Sequence, residues 1–160
     1  MLIVFQIYLN ILPKYKISSY GFCLPNKGFQ ELIKAVKVLK DMHYNIELNI
    51  FSAIYSEEHR YIFDELIQMT HDLGVDDLVT INGQYMSDSD TLKNLSRQDL
   101  VVFPYQQTTE SSSASVRYGI SSLRPVLVTP SPIFEDCANY LHFFRGFTPE
   151  DLAEGIYDWF

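Results

Sequence analysis

The sequence predicts one α/β domain over residues 1–160, a three-layer α/β/α sandwich with a mostly parallel sheet. Short apolar segments alternate along the chain with amphipathic segments of helical period, which is the pattern of parallel β–α units. Segment 100–104 (LVVFP) is an uninterrupted apolar run, typical of a central parallel strand that is buried on both faces. A length of 160 residues with 47% hydrophobic residues suits a single globular domain.

The predicted elements follow one another in a regular order. The first helix is well supported, because Phe29, Leu32 and Val36 recur at helical spacing with lysines on the opposite face. Serine and threonine begin several helices, since their side chains accept hydrogen bonds from free backbone amides. The order is strand 16–21, helix 27–43, strand 45–52, a helix from Ser56 to about Leu73 ended by Gly74, strand 78–81, a helix from Ser87 to about Arg97, strand 100–104, helix 111–123, strand 125–129, strand 140–144, and a helix capped by Thr148 with Pro149 first.

The apolar N-terminal segment 1–13 (MLIVFQIYLNILP) is the unusual part of the sequence. It is too short to span a bilayer, and no basic residues precede it as they would in a signal peptide. We expect it to form a strand, or to pack on something that this chain lacks.

Composition and charge narrow the classes of function. The formal net charge of −8 argues against a nucleic-acid or anionic-membrane partner, because such binding sites need clustered Lys and Arg. Cys23 and Cys137 lie far apart, and the four histidines have no metal-ligand spacing. We therefore expect reduced thiols and no metal site. The sequence predicts a cytoplasmic protein without a membrane span, with the inner membrane surface as a further option.

The predicted sheet limits where a ligand can bind. Ligands of parallel sheets lie outside the carboxyl ends of the strands, close to helix N-termini. In this sequence that edge is formed by loops 21–28, 52–57 and 105–113. Ser52, which opens the second loop, is a candidate ligand contact.

The first loop, GFCLPNKG, has features of a phosphate site. A strand ends at Gly21, next to Phe22, and Gly28 allows a close approach of the backbone. Lys27 places a cation at the start of a helix, where backbone amides also favour an anion. The loop is neither GxxxxGK[ST] nor GxGxxG, and a tight turn with a surface lysine is the alternative.

The third loop brings an acid and a group of hydroxyls to another helix start. Ser111, Ser112 and Ser113 are small, so a diphosphate could reach the free backbone amides at that start. Glu110 would repel a phosphate but could accept hydrogen bonds from sugar hydroxyls. The alternatives are a simple N-cap with a solvated loop, and a solvated cation at Arg117.

Four segments occur in a recognisable order over residues 17–160: YGFCLPNKGFQELIKAVKVL, ELNIF, LGVDDLVTINGQYMSDSDTLKNLSRQDLVVFPY and TTESSSASVRYGISSLRPVLVTPSPIFED. In this order, with KG opening the first helix and a Glu loop between DLVVFPY and RPVLVT, they resemble the C-terminal, donor-binding domain of family-4-type glycosyltransferases of the GT-B fold. The resemblance implies a Rossmann-like domain that binds a nucleotide-diphospho-sugar, with no metal or other cofactor for the donor.

The resemblance also implies roles for individual residues. Lys27 would contact the diphosphate, and the backbone amides of segment 111–113 would cradle the phosphates. Glu110 matches the first acid of the family's E-x7-E motif, which contacts the donor sugar. Such enzymes are typically retaining hexosyltransferases, and many take part in polysaccharide biosynthesis.

Two positions depart from the family pattern. Phe22 stands where the family often has an arginine, so half of the cationic clamp is missing unless Arg117 replaces it. Tyr118 stands at the second acid of E-x7-E, normally a ribose ligand, and a phenol cannot hold two ribose hydroxyls as a carboxylate does.

A GT-B enzyme has two Rossmann-like domains, and this chain is long enough for one. We therefore expect a donor-binding domain whose acceptor-binding domain lies elsewhere, in a longer chain or in a partner chain. The alternatives are a degenerate, non-catalytic domain that acts as a scaffold, and an unrelated flavodoxin-like or receiver-like domain.

Overall fold

A computed structural model describes residues 13–160, so most of the expectation for segment 1–13 lies outside the described residues. The described chain forms six strands and five α-helices, and two 3₁₀ segments at Glu57–His59 and Pro132–Tyr140. The elements are β1 (Tyr15–Tyr20), α1 (Phe29–Asp41), β2 (Ile46–Phe51), α2 (Arg60–Asp72), β3 (Val79–Asn82), α3 (Asp88–Leu95), β4 (Leu100–Phe103), α4 (Ala114–Ser121), β5 (Val126–Val128), β6 (His142–Phe143) and α5 (Pro149–Trp159).

The six strands form one sheet in the order β3-β2-β1-β4-β5-β6, and every pair is parallel. The predicted α/β class is therefore confirmed. The chain builds outward from β1 to β3 and then returns to β4 on the other side of β1. This reversal creates a crevice at the carboxyl ends of β1 and β4, which is the usual ligand site of such sheets.

Two apolar clusters fill the two faces of the sheet, and β4 contributes to both. Leu100 and Val102 pack with α1, α2 and α5, whereas Val101 and Phe103 pack with α3, α4 and the second 3₁₀ segment. All four side chains are fully buried. Successive side chains of a strand point to opposite faces of the sheet, and both faces are buried at β4. This explains the uninterrupted apolar run in the sequence.

The helix starts differ in part from the sequence prediction. Helix α1 begins at Phe29, because Gly28 has a left-handed backbone (φ 75°) and forms the N-cap. Helix α4 begins at Ala114, because the Ser113 side chain accepts the Val116 amide and ends the loop there.

Of the other predicted helix caps, two are confirmed and one is not. Ser87 and Thr148 cap their helices with side-chain hydrogen bonds, as predicted. Ser56 precedes a 3₁₀ turn instead, and its hydroxyl bonds to Nδ1 of His59 at 2.8 Å. Within residues 13–160, every helix is too short or too polar to cross a lipid bilayer.

Candidate functional site

The loops that follow β1 and β4 interlock at the crevice between these strands. A Cβ atom at Gly28 would lie 1.7 Å from the carbonyl oxygen of Pro104, so only glycine fits. The Gln106 amide donates to the carbonyl of Asn26 at 2.9 Å and closes the contact. The close approach predicted at Gly28 thus exists between two protein loops, and it fixes the position of Lys27 beside it.

Lys27 lies between an aromatic ring and an acid. Its ammonium group lies 4.3 Å from the centroid of the Tyr105 ring and 3.9 Å from Oε2 of Glu110. The Lys27 side chain is only 13% exposed, whereas that of Glu110 is 57% exposed. The ammonium keeps donors for an anion, because a ring face accepts no conventional hydrogen bond and the distance to Glu110 exceeds hydrogen-bonding range.

Tyr105 connects Lys27 to the start of α4. Its ring is buried, and its hydroxyl is hydrogen-bonded to Ser113 Oγ at 3.1 Å. Ser113 in turn accepts the backbone amide of Val116 as the N-cap of α4. One buried tyrosine therefore contacts the cation through its face and the helix cap through its hydroxyl.

The three serines that follow Glu110 have two different positions. Ser113 is buried as the N-cap, whereas Ser111 and Ser112 are exposed and lie before the helix. The prediction that Ser111 begins the helix was wrong. The Glu110 amide donates to Oγ1 of Thr108 at 3.2 Å, so this loop has its own turn structure.

A cavity of about 280 Å³ lies along α1 and α2, next to Lys27. It is lined by Glu31 and Glu65 as well as by Lys27. Two carboxylates make this cavity unfavourable for a phosphate, because like charges repel. An anion beside Lys27 is therefore better placed on the side of Tyr105 and α4.

Another cavity, which we call the aromatic pocket, is lined in part by Gly21 and has a volume of about 240 Å³. Its lining includes Tyr20, Phe22, Phe51, Tyr85, Asp88 and Tyr118. The aromatic rings come from β1, β2, the loop after β3, and α4, so the pocket faces the same edge of the sheet as Lys27.

Tyr118 is held inside the aromatic pocket by a hydrogen bond. Its hydroxyl donates to Oδ1 of Asp88 at 2.8 Å, and its ring packs edge-to-face on Tyr20 with centroids 5.2 Å apart. The hydrogen bond to the Asp88 carboxylate, with loss of solvent and the nearby negative charge, raises the pKa of Tyr118 to about 12. The phenol therefore remains a donor at physiological pH.

Gly21 joins the aromatic pocket to the Lys27 group. A Cβ atom placed on Gly21 would lie 3.0 Å from Oγ of Ser115 and 3.8 Å from the hydroxyl of Tyr105. Ser115 and Gly21 both line the aromatic pocket. The absence of a side chain at Gly21 therefore lets Ser115 and Tyr105 pack close to the lining of the pocket.

The remaining predicted residues lie around this crevice. Phe22 lines the aromatic pocket, is 41% exposed, and packs edge-to-face on Tyr55. Ser52 is fully buried after β2. Arg117 forms an ion pair with Asp136 at 2.5 Å. The ligand contacts proposed for these residues stay predictions.

Cysteine and metal chemistry have little support at this site. Cys23 follows Phe22 and is fully buried, and burial raises the pKa of its thiol, which disfavours the reactive thiolate. Among residues 13–160, no three His, Cys, Asp or Glu side chains converge as metal ligands would.

The sequence reasoning missed two residues of the site, Tyr105 and Asp88. Tyr105 has a usable signal, because an aromatic residue with a hydroxyl directly follows the buried strand and Pro104. Asp88 lies 30 positions before Tyr118 and begins another helix, so nothing in the local pattern connects them.

Known proteins resemble this chain through its fold. No protein-family model matches the sequence, and no curated protein matches it significantly. Solved structures do match. A glycosyltransferase from Rickettsia africae has a TM-score of 0.79 at 17% identity, with 99% of this chain and 40% of that chain covered. Anabaena Alr3699/HepE, solved with UDP and glucose, has a TM-score of 0.77 at 15% identity, with 96% and 40% covered.

A third solved structure is itself a single domain. The C-terminal domain of LpcC, a glycosyl transferase group 1 family protein from Francisella tularensis, has a TM-score of 0.72 at 18% identity, with 96% of this chain and 79% of that chain covered. The expected resemblance to a domain of GT-B glycosyltransferases is thus confirmed at the level of the fold. This chain spans about 40% of the length of the first two proteins.

Proposed function

We propose that this chain is the donor-binding domain of a glycosyltransferase and that it binds a nucleotide-diphospho-sugar at the β1–β4 crevice. The observation that carries the proposal is the convergence of a cation, an acid and a capped helix N-terminus at this crevice. Lys27 and Glu110 come from loops that are far apart in sequence, yet their charged groups lie 3.9 Å apart. A shared ligand with an anionic part and a hydroxylated part explains why both belong there.

The diphosphate is assigned to the side of Lys27 that faces α4. The ammonium supplies charge-assisted hydrogen bonds, and the first amides of α4 add donors and a positive dipole end. Ser111 and Ser112, which are small and exposed, leave the backbone accessible to a phosphate. Donors already in place at the leaving diphosphate would lower the barrier to sugar transfer, since they need no rearrangement during the reaction.

The donor sugar is assigned to Glu110. A carboxylate accepts hydrogen bonds from hydroxyl groups but repels phosphate, so the sugar is the part of the donor that fits this residue. Its 57% exposed side chain can reach a ligand without further opening of the site. The proposal also includes sugar transfer with retention to a glycan or lipid-linked acceptor. It places the acceptor-binding domain in the same chain or in a partner chain, and the protein in the cytoplasm.

Calorimetric titration of the purified chain with UDP, GDP and ADP tests donor binding. UDP is the first choice, because the Anabaena neighbour was solved with UDP and glucose. The sugar conjugates of the nucleotide that binds come next. We expect saturable binding of one nucleotide, with an affinity that changes when its sugar is attached.

Two variants separate the proposed roles. Lys27→Met is expected to weaken nucleotide binding at least about 10-fold, the size of a lost hydrogen bond to a charged group. Glu110→Gln removes a charge that repels phosphate, so it is expected not to weaken the bare nucleotide and to weaken only its sugar conjugate. Lys34→Met is the matched control, because Lys34 is an exposed lysine on α1 and does not line the crevice.

Two results would contradict the proposed function or the assigned phosphate site. If no nucleotide binds at millimolar concentration, the donor-domain proposal fails and a degenerate scaffold becomes the better interpretation. If Lys27→Met and Lys34→Met have the same effect on affinity, the diphosphate does not bind where we place it.

A further inference from the structure

The aromatic pocket has walls that suit a flat ring. Phe22 is 41% exposed and Tyr85 is 75% exposed, so their faces are open to a ligand at the mouth of the pocket. Tyr20 and Tyr118 form a packed pair deeper in the lining. Aromatic side chains bind planar ring systems by stacking and by the burial of apolar surface.

The same pocket has one charged group. Among the described residues that line it, Asp88 alone is charged. The Asp88 carboxylate accepts one hydrogen bond, from Tyr118, and its two oxygens have about four acceptor positions. Because Asp88 is exposed, the remaining positions are available to hydroxyl groups of a ligand.

The charges in and around the pocket indicate where a phosphate of the ligand would lie. A phosphate inside the pocket is disfavoured by Asp88, whereas Lys27, which does not line the pocket, favours one outside it. Gly21 lies between the two: it lines the pocket, and a Cβ atom placed on it would lie 3.8 Å from the hydroxyl of Tyr105, whose ring contacts Lys27. The ligand therefore has a flat ring at one end, hydroxyl groups near Asp88, and a phosphate that begins near Gly21. A ribonucleoside diphosphate has these parts in this order.

We propose that Asp88, oriented by Tyr118, binds the ribose hydroxyls of the donor nucleotide and makes the site selective for ribonucleotides over 2′-deoxyribonucleotides. This inference rests on the proposed function, since it assumes a nucleotide at the crevice. It adds a carboxylate from α3 to a site otherwise built by β1, β4 and α4. Tyr118 acts as a positioning residue, because its phenol donates to one oxygen of the carboxylate and leaves the other oxygen free to accept from the ligand.

The experiment compares UDP, GDP and ADP with their 2′-deoxy counterparts by calorimetry on the full chain. The wild-type chain is expected to bind the preferred ribonucleotide roughly 10-fold or more tightly than its 2′-deoxy form, as fits a lost hydrogen bond to a carboxylate. Asp88→Asn is expected to remove most of this preference by weakening the ribonucleotide. Tyr118→Phe is expected to reduce it by a smaller factor, because the carboxylate remains.

Asp90→Asn is the matched control. Asp90 lies on the same first turn of α3, so this variant removes the same charge from the same helix end without changing the pocket lining. It is expected to keep the ribose preference of the wild-type chain. Asp88 is exposed, so its replacement leaves the fold intact, which circular dichroism can check.

Each result has a distinct meaning. If the wild-type chain and Asp88→Asn prefer the ribonucleotide by the same factor, the assignment of Asp88 is wrong while the donor-domain proposal stands. If the wild-type chain binds a nucleotide with no ribose preference, the assignment is also wrong. If no nucleotide binds at all, both proposals fall together.

Discussion

The two ends of the proposed binding crevice are built in opposite ways. At the phosphate end, backbone contacts and a buried tyrosine fix the Lys27 group: Gly28 lies against Pro104, and Tyr105 joins the cation to the Ser113 cap. At the aromatic pocket, the groups that would meet a ligand are side chains: Phe22, Tyr85 and Asp88 are exposed, and the partly buried Tyr118 donates a hydrogen bond to Asp88.

The difference shows where such a site needs rigidity. A diphosphate is bound through charge and backbone amides, and its stabilisation depends on donors that are already in position. A nucleoside is recognised by stacking and by a few hydrogen bonds, which side chains can supply without a fixed backbone. We therefore expect substitutions at the phosphate end to change both folding and binding, and substitutions in the aromatic pocket to change binding alone.

The strongest test of this contrast is Gly28→Ala. A Cβ atom there would collide with the Pro104 carbonyl, and a left-handed backbone (φ 75°) adds strain. The strain alone costs about 1–2 kcal/mol, and overpacking adds roughly 1–3 kcal/mol. We expect the free energy of unfolding, measured in urea, to fall by about this sum, and nucleotide binding to be lost.

Gly74→Ala is the control that separates strain from collision. Gly74 has a similar left-handed backbone (φ 63°), and a Cβ atom would meet nothing within 4 Å. It is expected to cost only the backbone strain, about 1–2 kcal/mol, and to leave nucleotide binding unchanged. Equal effects of the two substitutions would show that the interlocked loops do not hold the phosphate end together.

These glycines also show what a sequence can and cannot predict. The alternation of apolar and amphipathic segments was enough to predict the parallel sheet, because each β–α unit repeats the same local pattern. The start of α1 was predicted two residues early, at position 27 instead of Phe29. The local pattern around KG fits a helix start, and the approach of Pro104 that fixes the turn is a tertiary contact.

The residues of the candidate site also differ in whether the sequence predicted them. Lys27 and Glu110 were predicted because each lies on a loop at the ligand edge and carries a charge that a donor would need. Asp88 was missed because it is an acid in the first turn of a helix, where acids are common for reasons of the helix dipole alone. Its contact with Tyr118 depends on the packing of α3 against α4. The local sequence pattern does not predict the packing of these two helices.

A milder change at the phosphate end is Tyr105→Phe. It keeps the ring beside Lys27 and removes the hydroxyl that bonds to Ser113. We expect a loss of about 1 kcal/mol in unfolding free energy, because Ser113 then keeps the Val116 amide but loses its other buried hydrogen-bond partner. UDP affinity should fall by roughly 2- to 10-fold while uridine affinity stays the same, because we place only the diphosphate beside Lys27 and the Ser113 cap, which Tyr105 connects.

Tyr140→Phe is the matched control for Tyr105→Phe. Tyr140 is 72% exposed at the end of the second 3₁₀ segment, so removal of its hydroxyl should change neither stability nor binding. If Tyr105→Phe weakens uridine as much as UDP, Tyr105 supports the whole site and does not position the phosphate end in particular.

The smallest expected effect is at the aromatic pocket, and it concerns protonation. The pKa of Tyr118 is raised to about 12, first by its hydrogen bond to Asp88. In the Asp88→Asn variant the carboxylate is gone, so we expect this pKa to fall toward the ordinary value of about 10. Tyrosine ¹³Cζ shifts recorded over a pH titration would measure it, with Tyr118→Phe to assign the resonance and Asp90→Asn as the variant in which the pKa stays high.

The sign of the linked stability change follows from the same shift. Because the folded-state pKa lies above the unfolded value, the hydrogen bond contributes fully to stability below about pH 10, and the contribution disappears as the pH rises toward 12. Tyr118 is only partly buried, and its partner Asp88 is exposed, so solvent screens the interaction and we expect the change in stability to be small even where the pKa shift is large. A large loss of stability in Asp88→Asn at neutral pH would contradict the contrast drawn above. The aromatic pocket would then support the fold as the phosphate end does, and its side chains would not be free to serve recognition alone.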